Sequence, residues 1–597
     1  MVRISLISVA KVVMSMLSRL SWPLALSALI LGMLLGLISC REPGDGDRTP
    51  VRETATSPAP EETPTSPVPT QALPTEVGLT KEDFGLTVEE LLSAQSNELL
   101  GIEKPLSEPA DDGDVVPRED ATANARQLLA QGLKAQFVAR NVAFLGDMIA
   151  FWPDDINYTH LIVCIEQERS GDTPGGNEGL NAAVQRVDVK TGDVETILHG
   201  MSYCDGIRAT QWGTVLATEE TEDGRAYEII GPLNTTGHWV ADRATGDIRD
   251  GIDSPNVSTK VAQRQALPTL RWEGLTILDT GVIYLGDELR PGEVALDGDG
   301  GSVFKFTPET PYDCGAAQAV PDGQRCPNTI DDLTDSPLVA GRAYAYTASC
   351  QPRTDDSFPQ YGQGCEIGEG AWVEVDQLTA PADAGDRGAV GYYRPEDLHA
   401  DPTFGIFADD PEAGVRFCWT NTGSAEAENF GETVCMVDED PDASSTITDD
   451  RTDLVYLSND GTDFAVAVAN RFAEGDQRFN SHDNLAFQAH TGNLYIIEDH
   501  EFGEIFACLP DGKDRDNKTD GCVSILSIAD PDAEPTGFIF DGTGRNAFYI
   551  VQHGQQQNSL LDFTSNPVDG STDDLLKITG FQQTKNRSDD AEGDQGE

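Results

Sequence analysis

One pattern recurs along this 597-residue chain and constrains its fold more than any other feature. An acidic residue opens a short apolar strand, and a second apolar strand follows and ends on a polar, mostly acidic, pair. The opening acids are Asp205, Glu273, Glu396, Asp483 and Glu534, and the closing pairs include Glu219-Glu220, Asp287-Glu288, Glu498-Asp499 and Gln552-His553. Self-similarity at this spacing predicts an all-β fold, a β-propeller, in which equivalent strands line one central channel.

The repeated carboxylates have a consequence in such a fold. At the same end of each inner strand they would form a ring at one mouth of the channel. Like charges at short range disfavour joint ionisation, and bound hard cations such as Ca²⁺ relieve this because they prefer oxygen ligands. The alternative is that Asp and Glu simply occupy turns. Five copies of the pattern favour the ring.

The charge of the chain argues against one class of partner. The formal net charge is −62 and the sequence pI is about 4.2, so we predict no binding to nucleic acid. An acidic surface is equally consistent with a salt-rich habitat and with a protein that collects divalent cations.

Residues 1–39 are predicted to be a lipoprotein signal peptide. Arg3, Lys11 and Arg19 come before an apolar run that ends in Leu37-Ile38-Ser39-Cys40, the order of an export signal. This ending resembles a bacterial lipobox, which implies cleavage before Cys40 and a lipid on that cysteine. We therefore expect an exported lipoprotein anchored to the membrane, at the outer membrane or at the cell surface and periplasm. A simple transmembrane anchor is the alternative.

The rest of the chain divides by composition and hydrophobic periodicity. Two helices are predicted before the β pattern begins, one from Thr87 to Leu100 and one from Ala121 to Phe137. The predicted segments are a disordered tether rich in Pro, Thr, Ser and Glu (40–80), a helical N-terminal extension (81–140), the propeller (141–582) and an acidic disordered tail (583–597).

The cysteines are consistent with an exported protein. Four pairs of cysteines are close in sequence. We predict that they form local disulfides, because closing a short loop costs the least conformational entropy. These pairs are Cys314–Cys326, Cys350–Cys365, Cys418–Cys435 and Cys508–Cys522. Cys164 and Cys204 are left over, and they either bridge each other or serve another purpose.

The motifs together resemble those of the PhoX-type alkaline phosphatases over about residues 140–560. The matching segments are Cys204-Asp205-Gly206 with Glu219-Glu220, Trp272-Glu273-Gly274 with Asp287-Glu288, Arg394-Pro395-Glu396-Asp397, Ser481-His482-Asp483-Asn484-Leu485 and Ile497-Glu498-Asp499. The resemblance implies an exported, six-bladed β-propeller. It also implies that phosphate monoesters are hydrolysed by a cluster of Fe³⁺ and Ca²⁺ ions, with a metal-bound oxide or hydroxide as nucleophile.

The resemblance also implies roles for individual residues. Cys204 would be the thiolate ligand to iron, with a disulfide to Cys164 as the alternative. The carboxylate ligand candidates are Glu219, Glu220, Glu273, Asp287, Glu288, Glu396, Asp483, Glu498 and Asp499. Because adjacent residues of a strand project to opposite faces, we expect only one member of each acidic pair to be a ligand.

Arg394 is expected to bind the substrate phosphate, because a guanidinium matches phosphate oxygens in a bidentate fork. Glu396 lies two residues on and therefore on the same side of an extended chain, and Glu273 joins these two as the third expected catalytic residue. The alternative is a surface ion pair between Arg394 and Glu396. His482, His553 and Glu534 are weaker candidates.

Two departures from the family pattern affect the expected substrate range and cluster geometry. Arg208 lies in the segment that is glycine-rich in the family, and His482 stands where proline is usual.

The sequence therefore predicts a monomeric phosphomonoesterase that acts on small phosphate esters outside the cytoplasmic membrane. Two alternatives remain. One is a calcium-dependent propeller hydrolase of the lactonase or phytase type, which needs neither Cys204 nor Arg394. The other is a non-catalytic, calcium-stabilised propeller that binds surface ligands.

Overall fold

The structure is a computed structural model, and its described residues all belong to the compact unit Pro74–Glu597. They are residues 88–118, 121–169, 180–289, 300–316, 320, 324–348, 367–408, 413–424, 429–442, 467–509, 522–553 and 572–582. The predicted signal peptide with Cys40, the tether, the acidic tail and the Cys350–Cys365 pair lie outside these residues. Within the described part of the chain, no helix has the length and apolar character needed to cross a membrane.

Strands dominate the structure. Among the described residues, the two α-helices are α1 (Val88–Leu99) and α2 (Ala380–Asp386), and single 3₁₀ turns occupy Ala123–Ala125, Pro232–Asn234, Leu333–Asp335, Pro337–Val339, Gln377–Thr379 and Gly405–Ala408. The strands are β1 (Gln127–Leu129), β2 (Lys134–Ala143), β3 (Gly146–Trp152), β4 (His160–Ile165), β5 (Ala182–Asp188), β6 (Val194–His199), β7 (Cys204–Ala209), β8 (Thr214–Gly224), β9 (Ala226–Ile230), β10 (His238–Asp242), β11 (Asp247–Arg249), β12 (Val261–Gln263), β13 (Leu270–Ile277), β14 (Ile283–Asp287), β15 (Val303–Pro308), β16 (Gly341–Ala348), β17 (Gly368–Val375), β18 (Pro395–Ala400), β19 (Val415–Asn421), β20 (Glu432–Asp438), β21 (Ala467–Glu474), β22 (His482–Phe487), β23 (Leu494–Glu498), β24 (Glu504–Cys508), β25 (Cys522–Ile528), β26 (Ala533–Phe540), β27 (Asn546–His553) and β28 (Thr572–Thr579).

Six of these strands contact one another in a ring. In order they are β3, β7, β13, β18, β22 and β26, and β26 returns to contact β3. Antiparallel strands extend outward from them, as in the sheet β22-β23-β24-β25-β1. The fold is therefore the predicted all-β propeller. The count of six blades stays a prediction, because the hydrogen-bonded sheets do not separate one to a blade: β8 pairs with β13 and joins two of them.

Apolar side chains fill the space between neighbouring sheets. Every residue of β3 is buried, which is expected of a strand that is covered on both faces. Trp212, Trp272, Trp372 and Trp419 are fully buried, and the ring of Tyr284 stacks on that of Phe417 at 4.2 Å. These contacts hold the sheets face to face, so their inner strands meet at fixed positions.

Two glycines permit the inner strands to approach closely. A Cβ on Gly206 would lie 2.2 Å from the carbonyl oxygen of Glu273, and one on Gly274 would lie 2.2 Å from the amide nitrogen of Leu398. Any side chain at either position would therefore collide with the backbone of the next inner strand. This contact explains why glycine follows the acid in both copies of the repeated pattern.

Strands from the early and late parts of the described chain pair with each other in two different sheets. β2 pairs antiparallel with β28, and β1 pairs with β25. The helix predicted from Thr87 to Leu100 is confirmed by α1. The helix predicted from Ala121 to Phe137 is wrong, because its residues pair with strands more than 400 positions later in the chain, as Gln127 does with Ile528.

A buried ion pair supports this closure. The guanidinium of Arg118 contacts the carboxylate of Asp574 at 2.9 Å, and neither side chain is exposed to solvent. Arg118 also donates to Thr572 and to the carbonyl of Arg140.

We expect Arg118→Met to lower the free energy of unfolding by about 3 kcal/mol, because it leaves a buried carboxylate with fewer partners. Arg140 still contacts Asp574 in this variant, so the expected loss lies at the lower end of the roughly 3–5 kcal/mol that is typical of a broken buried ion pair. Urea unfolding measures the change. Arg342→Met is the matched control, since Arg342 pairs with Glu374 at the surface and should change stability by less than about 1 kcal/mol. Equal effects of the two substitutions would contradict the prediction.

Candidate metal centre

Five of the six inner strands carry an acid at the same position. Near the start of each of these strands, one residue pairs with a residue of the adjacent antiparallel strand. The acid comes directly after it, at a point where the pairing register shifts. Cys204 pairs with Glu219, for example, and pairing resumes only at Ile207. The five acids are Asp147, Asp205, Glu273, Glu396 and Asp483. In β26 this position is Gly537, and Glu534 lies three residues earlier.

A second set of carboxylates meets the first. Three groups of carboxylates each have oxygen atoms within 4.8 Å of one another. The groups are Asp147/Glu166/Asp205, Asp205/Glu220/Glu273 and Glu273/Glu288/Glu396. Asp205 and Glu273 are each shared by two groups, so seven carboxylates form one continuous cluster. We call these seven residues the carboxylate cluster. Asp483, Asp499 and Glu534 extend its negative field. Burial, and then the charges of Glu396 and Asp499, raise the pKa of Asp483. Burial, and then the charges of Asp499 and Asp483, raise the pKa of Glu534.

The first member of each predicted acidic pair turns away from the cluster. Glu219 is bound by the guanidinium of Arg243, and Asp287 accepts from the amides of Arg271 and Gly301. Glu498 accepts from the amide of Asn480 at 2.7 Å and lies 2.9 Å from His500.

Glu219, Asp287 and Glu498, three of the predicted ligands, are therefore not among the carboxylates that the structure brings together. Alternation along a strand places them opposite Glu220, Glu288 and Asp499. Their oxygens are taken up by backbone amides, arginine and histidine.

The structure contradicts the prediction that Cys204 is a thiolate ligand. Its sulfur is bonded to that of Cys164, with the two Cα atoms 5.1 Å apart. A sulfur in a disulfide has no thiolate to offer a metal. The predicted bridges Cys314–Cys326, Cys418–Cys435 and Cys508–Cys522 are present.

The cluster has the properties of a cation site. Burial, and then the negative charges of neighbouring carboxylates, raise the pKa values of Asp147, Asp205 and Glu273 well above their ordinary range. Oδ1 of Asp205 is buried and has no hydrogen-bond partner among the described residues. Donors that are all oxygen suit hard cations, so the residues present fit Ca²⁺. They do not supply the sulfur that was expected to select iron.

Arg394, the residue expected to bind phosphate, lies against this cluster. Its Nη2 is 2.6 Å from Oε1 of Glu288 and 3.2 Å from Oε1 of Glu396. The ion pair with Glu396 exists, but at the mouth of the channel and not on the outer surface. Burial raises the pKa of Glu396 to about 7, although the charge of Arg394 opposes that shift.

Arg271 is a second guanidinium at the cluster, and the sequence did not reveal it. Its Nη2 lies 2.6 Å from Oε1 of Glu220, and its Nε contacts Glu288. The signal was its place two residues before Glu273, which puts both on one side of the strand.

Sequence reasoning also missed Asp147, Glu166 and Asp205 as candidate ligands. The signal for Asp205 was its equivalence to Glu273, since each precedes a glycine. Asp147 and Glu166 belong to a copy without that glycine and without an acidic pair.

The imidazole of His482 packs in the core and does not join the cluster. His482 is fully buried, its Nδ1 is 3.0 Å from Oγ1 of Thr433, and its ring lies 4.1 Å from that of Phe479. Burial lowers its pKa to about 3, so it is a neutral core residue. The side chain of His553 lies outside the part that the structure describes.

Comparison with known proteins gives one family match. A family model described as alkaline phosphatase PhoX matches residues 182–555, which is more than half of the chain. No curated protein matches the chain.

Two solved structures illustrate the structural similarity. PhoX of Pseudomonas fluorescens, in complex with vanadate, a transition state analogue, is 14% identical with a TM-score of 0.46, over 80% of this chain and 98% of that one. The PQQ-bound aldose sugar dehydrogenase of Streptomyces coelicolor is 11% identical with a TM-score of 0.34, over 75% and 98% of the two chains.

The carboxylate cluster predicts a pH dependence for the metal-free protein. A carboxyl whose pKa is raised in the folded state stabilises the fold when it is protonated. This contribution is complete below the pKa of the unfolded chain, near 4.5 for Glu396. It is lost as the pH rises through the pKa of the folded state, which is about 7 for Glu396. We therefore expect the Tm of chelated protein to fall across this window. Added Ca²⁺ should flatten the profile, because it competes with protons for the same oxygens. Thermal melts at several pH values, with and without Ca²⁺, measure both effects, and parallel profiles would contradict the site.

The disulfide makes a separate prediction. We expect Cys164→Ala and Cys204→Ala to lower the free energy of unfolding by similar amounts, about 2–5 kcal/mol. Both variants should keep the calcium content of the parent protein, measured by elemental analysis. Loss of bound metal in Cys204→Ala but not in Cys164→Ala would show instead that Cys204 is a ligand.

Proposed function

Because the chain belongs to the PhoX family of alkaline phosphatases, we propose that it is a metal-dependent phosphomonoesterase that releases phosphate from small organic phosphate esters. One observation carries the proposal. Seven carboxylates converge at one end of the inner strands, and two guanidinium groups lie against them. Phosphoryl transfer needs this combination of cation binding and phosphate binding.

The seven cluster residues would hold the metal ions. When bound, hard cations neutralise the cluster and act as Lewis acids toward phosphoryl oxygens. Asp205 and Glu273 are each shared by two of the three groups and would offer oxygen ligands in both. The oxygen donors support Ca²⁺, while Fe³⁺ remains an expectation that comes from the resemblance alone.

The two arginines would bind the substrate phosphate. A guanidinium offers donors in a fixed fork that matches phosphate oxygens. Arg394 has its side chain 19% exposed and Arg271 has 34%, so both can meet a ligand that arrives from solvent. Both now neutralise Glu288, and a cation bound there would take over that role. Glu396, beside Arg394, would hold metal and fix the guanidinium.

We further propose that the enzyme works outside the cytoplasmic membrane as a lipoprotein attached through Cys40, with residues 40–80 as its tether. The signal-like sequence of residues 1–39 supports this proposal. An acidic body would repel large polyanions at low salt, which favours small monoesters as substrates.

One observation favours the second candidate function. A calcium-dependent propeller hydrolase of the lactonase or phytase type needs carboxylates but no free thiolate, and Cys204 is in a disulfide. That reaction gives no role to Arg394. The activity of an Arg394 variant therefore separates the two candidates.

The test is hydrolysis of a chromogenic phosphate monoester by the purified protein, with its iron and calcium counted. We expect activity to disappear on chelation and to return with Ca²⁺. Arg394→Ala should lower kcat/KM by about 100-fold, because it removes a charged donor to the reacting group. Arg342→Ala removes an exposed arginine far from the cluster and should leave kcat/KM unchanged.

Two results would count against the phosphatase. Calcium binding without ester turnover would favour the non-catalytic propeller. Lactone or phytate hydrolysis that survives Arg394→Ala would favour the second candidate.

A further inference from the structure

The residues two positions before the five inner-strand acids occupy equivalent places at the mouth of the channel. In each copy, the carbonyl of this residue accepts a hydrogen bond of 2.7 to 3.1 Å from a backbone amide on or just after the adjacent antiparallel strand. Three of these amides belong to Glu166, Glu220 and Glu288 of the carboxylate cluster, so the five residues border the cluster. We call them the rim, and they are Leu145, Tyr203, Arg271, Arg394 and Ser481.

The rim backbone is held in a conformation that side chains rarely adopt. The angle φ is 63° at Leu145, 52° at Tyr203, 62° at Arg394 and 51° at Ser481. Glycine adopts this left-handed conformation freely, whereas a side chain in it costs free energy. Side chains that are held this way cluster at active sites and ligand clamps. The rim therefore has the backbone character of a binding site.

The rim side chains are sorted by their chemistry around the ring. The inner strands contact one another in the order β3, β7, β13, β18 and β22. The rim therefore runs in the order Leu145, Tyr203, Arg271, Arg394, Ser481. An apolar pair stands beside a basic pair, and Tyr203 is the member of the apolar pair that neighbours Arg271. Beyond Arg394 comes only the small Ser481, whose hydroxyl donates to Asn480.

The side chain of Tyr203 lies near both the cluster and the first arginine. Its carbonyl accepts from the amide of Glu220, whose carboxylate lies 2.6 Å from Nη2 of Arg271. Burial, and then the charges of Glu168 and Glu166, raise the pKa of its hydroxyl. The charges of Glu220 and Arg271 also act on this pKa, in opposite directions. Tyr203 is only partly buried, so a ligand that arrives from solvent can reach it.

A phosphate monoester has two parts, and the rim offers a surface for each. Under the proposed function, Arg271 and Arg394 bind the phosphate oxygens, so the organic group lies next to them on the rim. Tyr203 and the partly buried Leu145 offer apolar area there, and burial of apolar surface against them favours binding. A tyrosine ring also packs well against a second aromatic ring. Glu168 is exposed on this side and would repel an anionic group.

We propose that Tyr203, together with Leu145, binds the organic group of the ester and determines specificity for it. The preferred substrates are then phosphate monoesters of uncharged aromatic alcohols. This inference rests on the proposed phosphatase function, because the two arginines must hold the phosphate beside Tyr203.

The test compares benzyl phosphate with ethyl phosphate. Their alcohols are of similar acidity, so the two leaving groups are of similar reactivity and the aromatic ring is the main difference. We expect the purified, full-length protein, supplied with Ca²⁺, to hydrolyse benzyl phosphate with a kcat/KM at least about tenfold higher than that for ethyl phosphate.

Variants of the rim locate the source of this preference. Tyr203→Ala removes the ring and should bring the ratio of the two kcat/KM values to within about threefold. Tyr203→Phe keeps the ring and should keep the ratio, and Leu145→Ala should lower the ratio in part. Ser481→Ala is the matched control, because Ser481 has the same backbone conformation but lies on the far side of the two arginines. It should keep the ratio of the parent protein.

Binding gives a second measurement that needs no turnover. Benzylphosphonate and ethylphosphonate are not hydrolysed, and isothermal titration calorimetry should show the same preference, and the same loss of it in Tyr203→Ala.

The outcomes separate this inference from the proposed function. Hydrolysis of both esters with equal kcat/KM, or a preference that Tyr203→Ala leaves unchanged, would overturn the role of Tyr203 while the phosphatase stands. Hydrolysis of neither ester would overturn the phosphatase. In that case the calorimetry decides, since equal affinity for the two phosphonates, or no binding of either, overturns the role of Tyr203 as well.

Discussion

Repulsion among buried carboxylates is the interaction on which the rest of the site depends. The ring of inner strands brings Asp147, Asp205 and Glu273 to one end of the channel, where burial and mutual charge raise their pKa values. Protons or bound cations can relieve this repulsion, and two arginines at the edge offset only part of it. The folded protein therefore has an affinity for cations, because a cation bound in the cluster stabilises the ionised form of each carboxylate around it. Metal binding and stability are therefore coupled in this protein.

The cluster can exist only because the inner strands approach each other closely. Gly206 and Gly274 allow backbone contact at positions where any Cβ would collide. The register shift at each acid directs its side chain into the channel, while the paired residue before it stays in the sheet. Outside the ring, aromatic packing between sheets fixes where the strands meet. The acid and the glycine of the repeated pattern thus serve one purpose: the glycine admits the neighbouring strand, and the acid faces the space that this contact creates.

The sequence predicted what is local and repeated, and missed what depends on distant pairing. The alternation of short strands with acidic ends predicted the propeller, and Glu220, Glu273, Glu288 and Glu396 all lie in the cluster. Asp147 and Glu166 were missed because their copy lacks the glycine and the acidic pair. The apolar stripe from Ala121 to Phe137 has helical spacing, yet pairing with β25 and β28 decides its structure. Close cysteine pairs can be read from loop length, but only the fold shows that Cys164 and Cys204 are neighbours.

Adjacent residues of β18 show how one strand serves two environments. Glu396 belongs to the carboxylate cluster, and burial raises its pKa to about 7. Asp397 turns to the other side, where burial opposes ionisation but His399 and Arg208 hold its pKa well below the ordinary range. Asp397 is also the acceptor for the amide of Leu485 on the next inner strand. It therefore remains charged and ties three inner strands together, because Arg208 lies on β7 and Leu485 on β22.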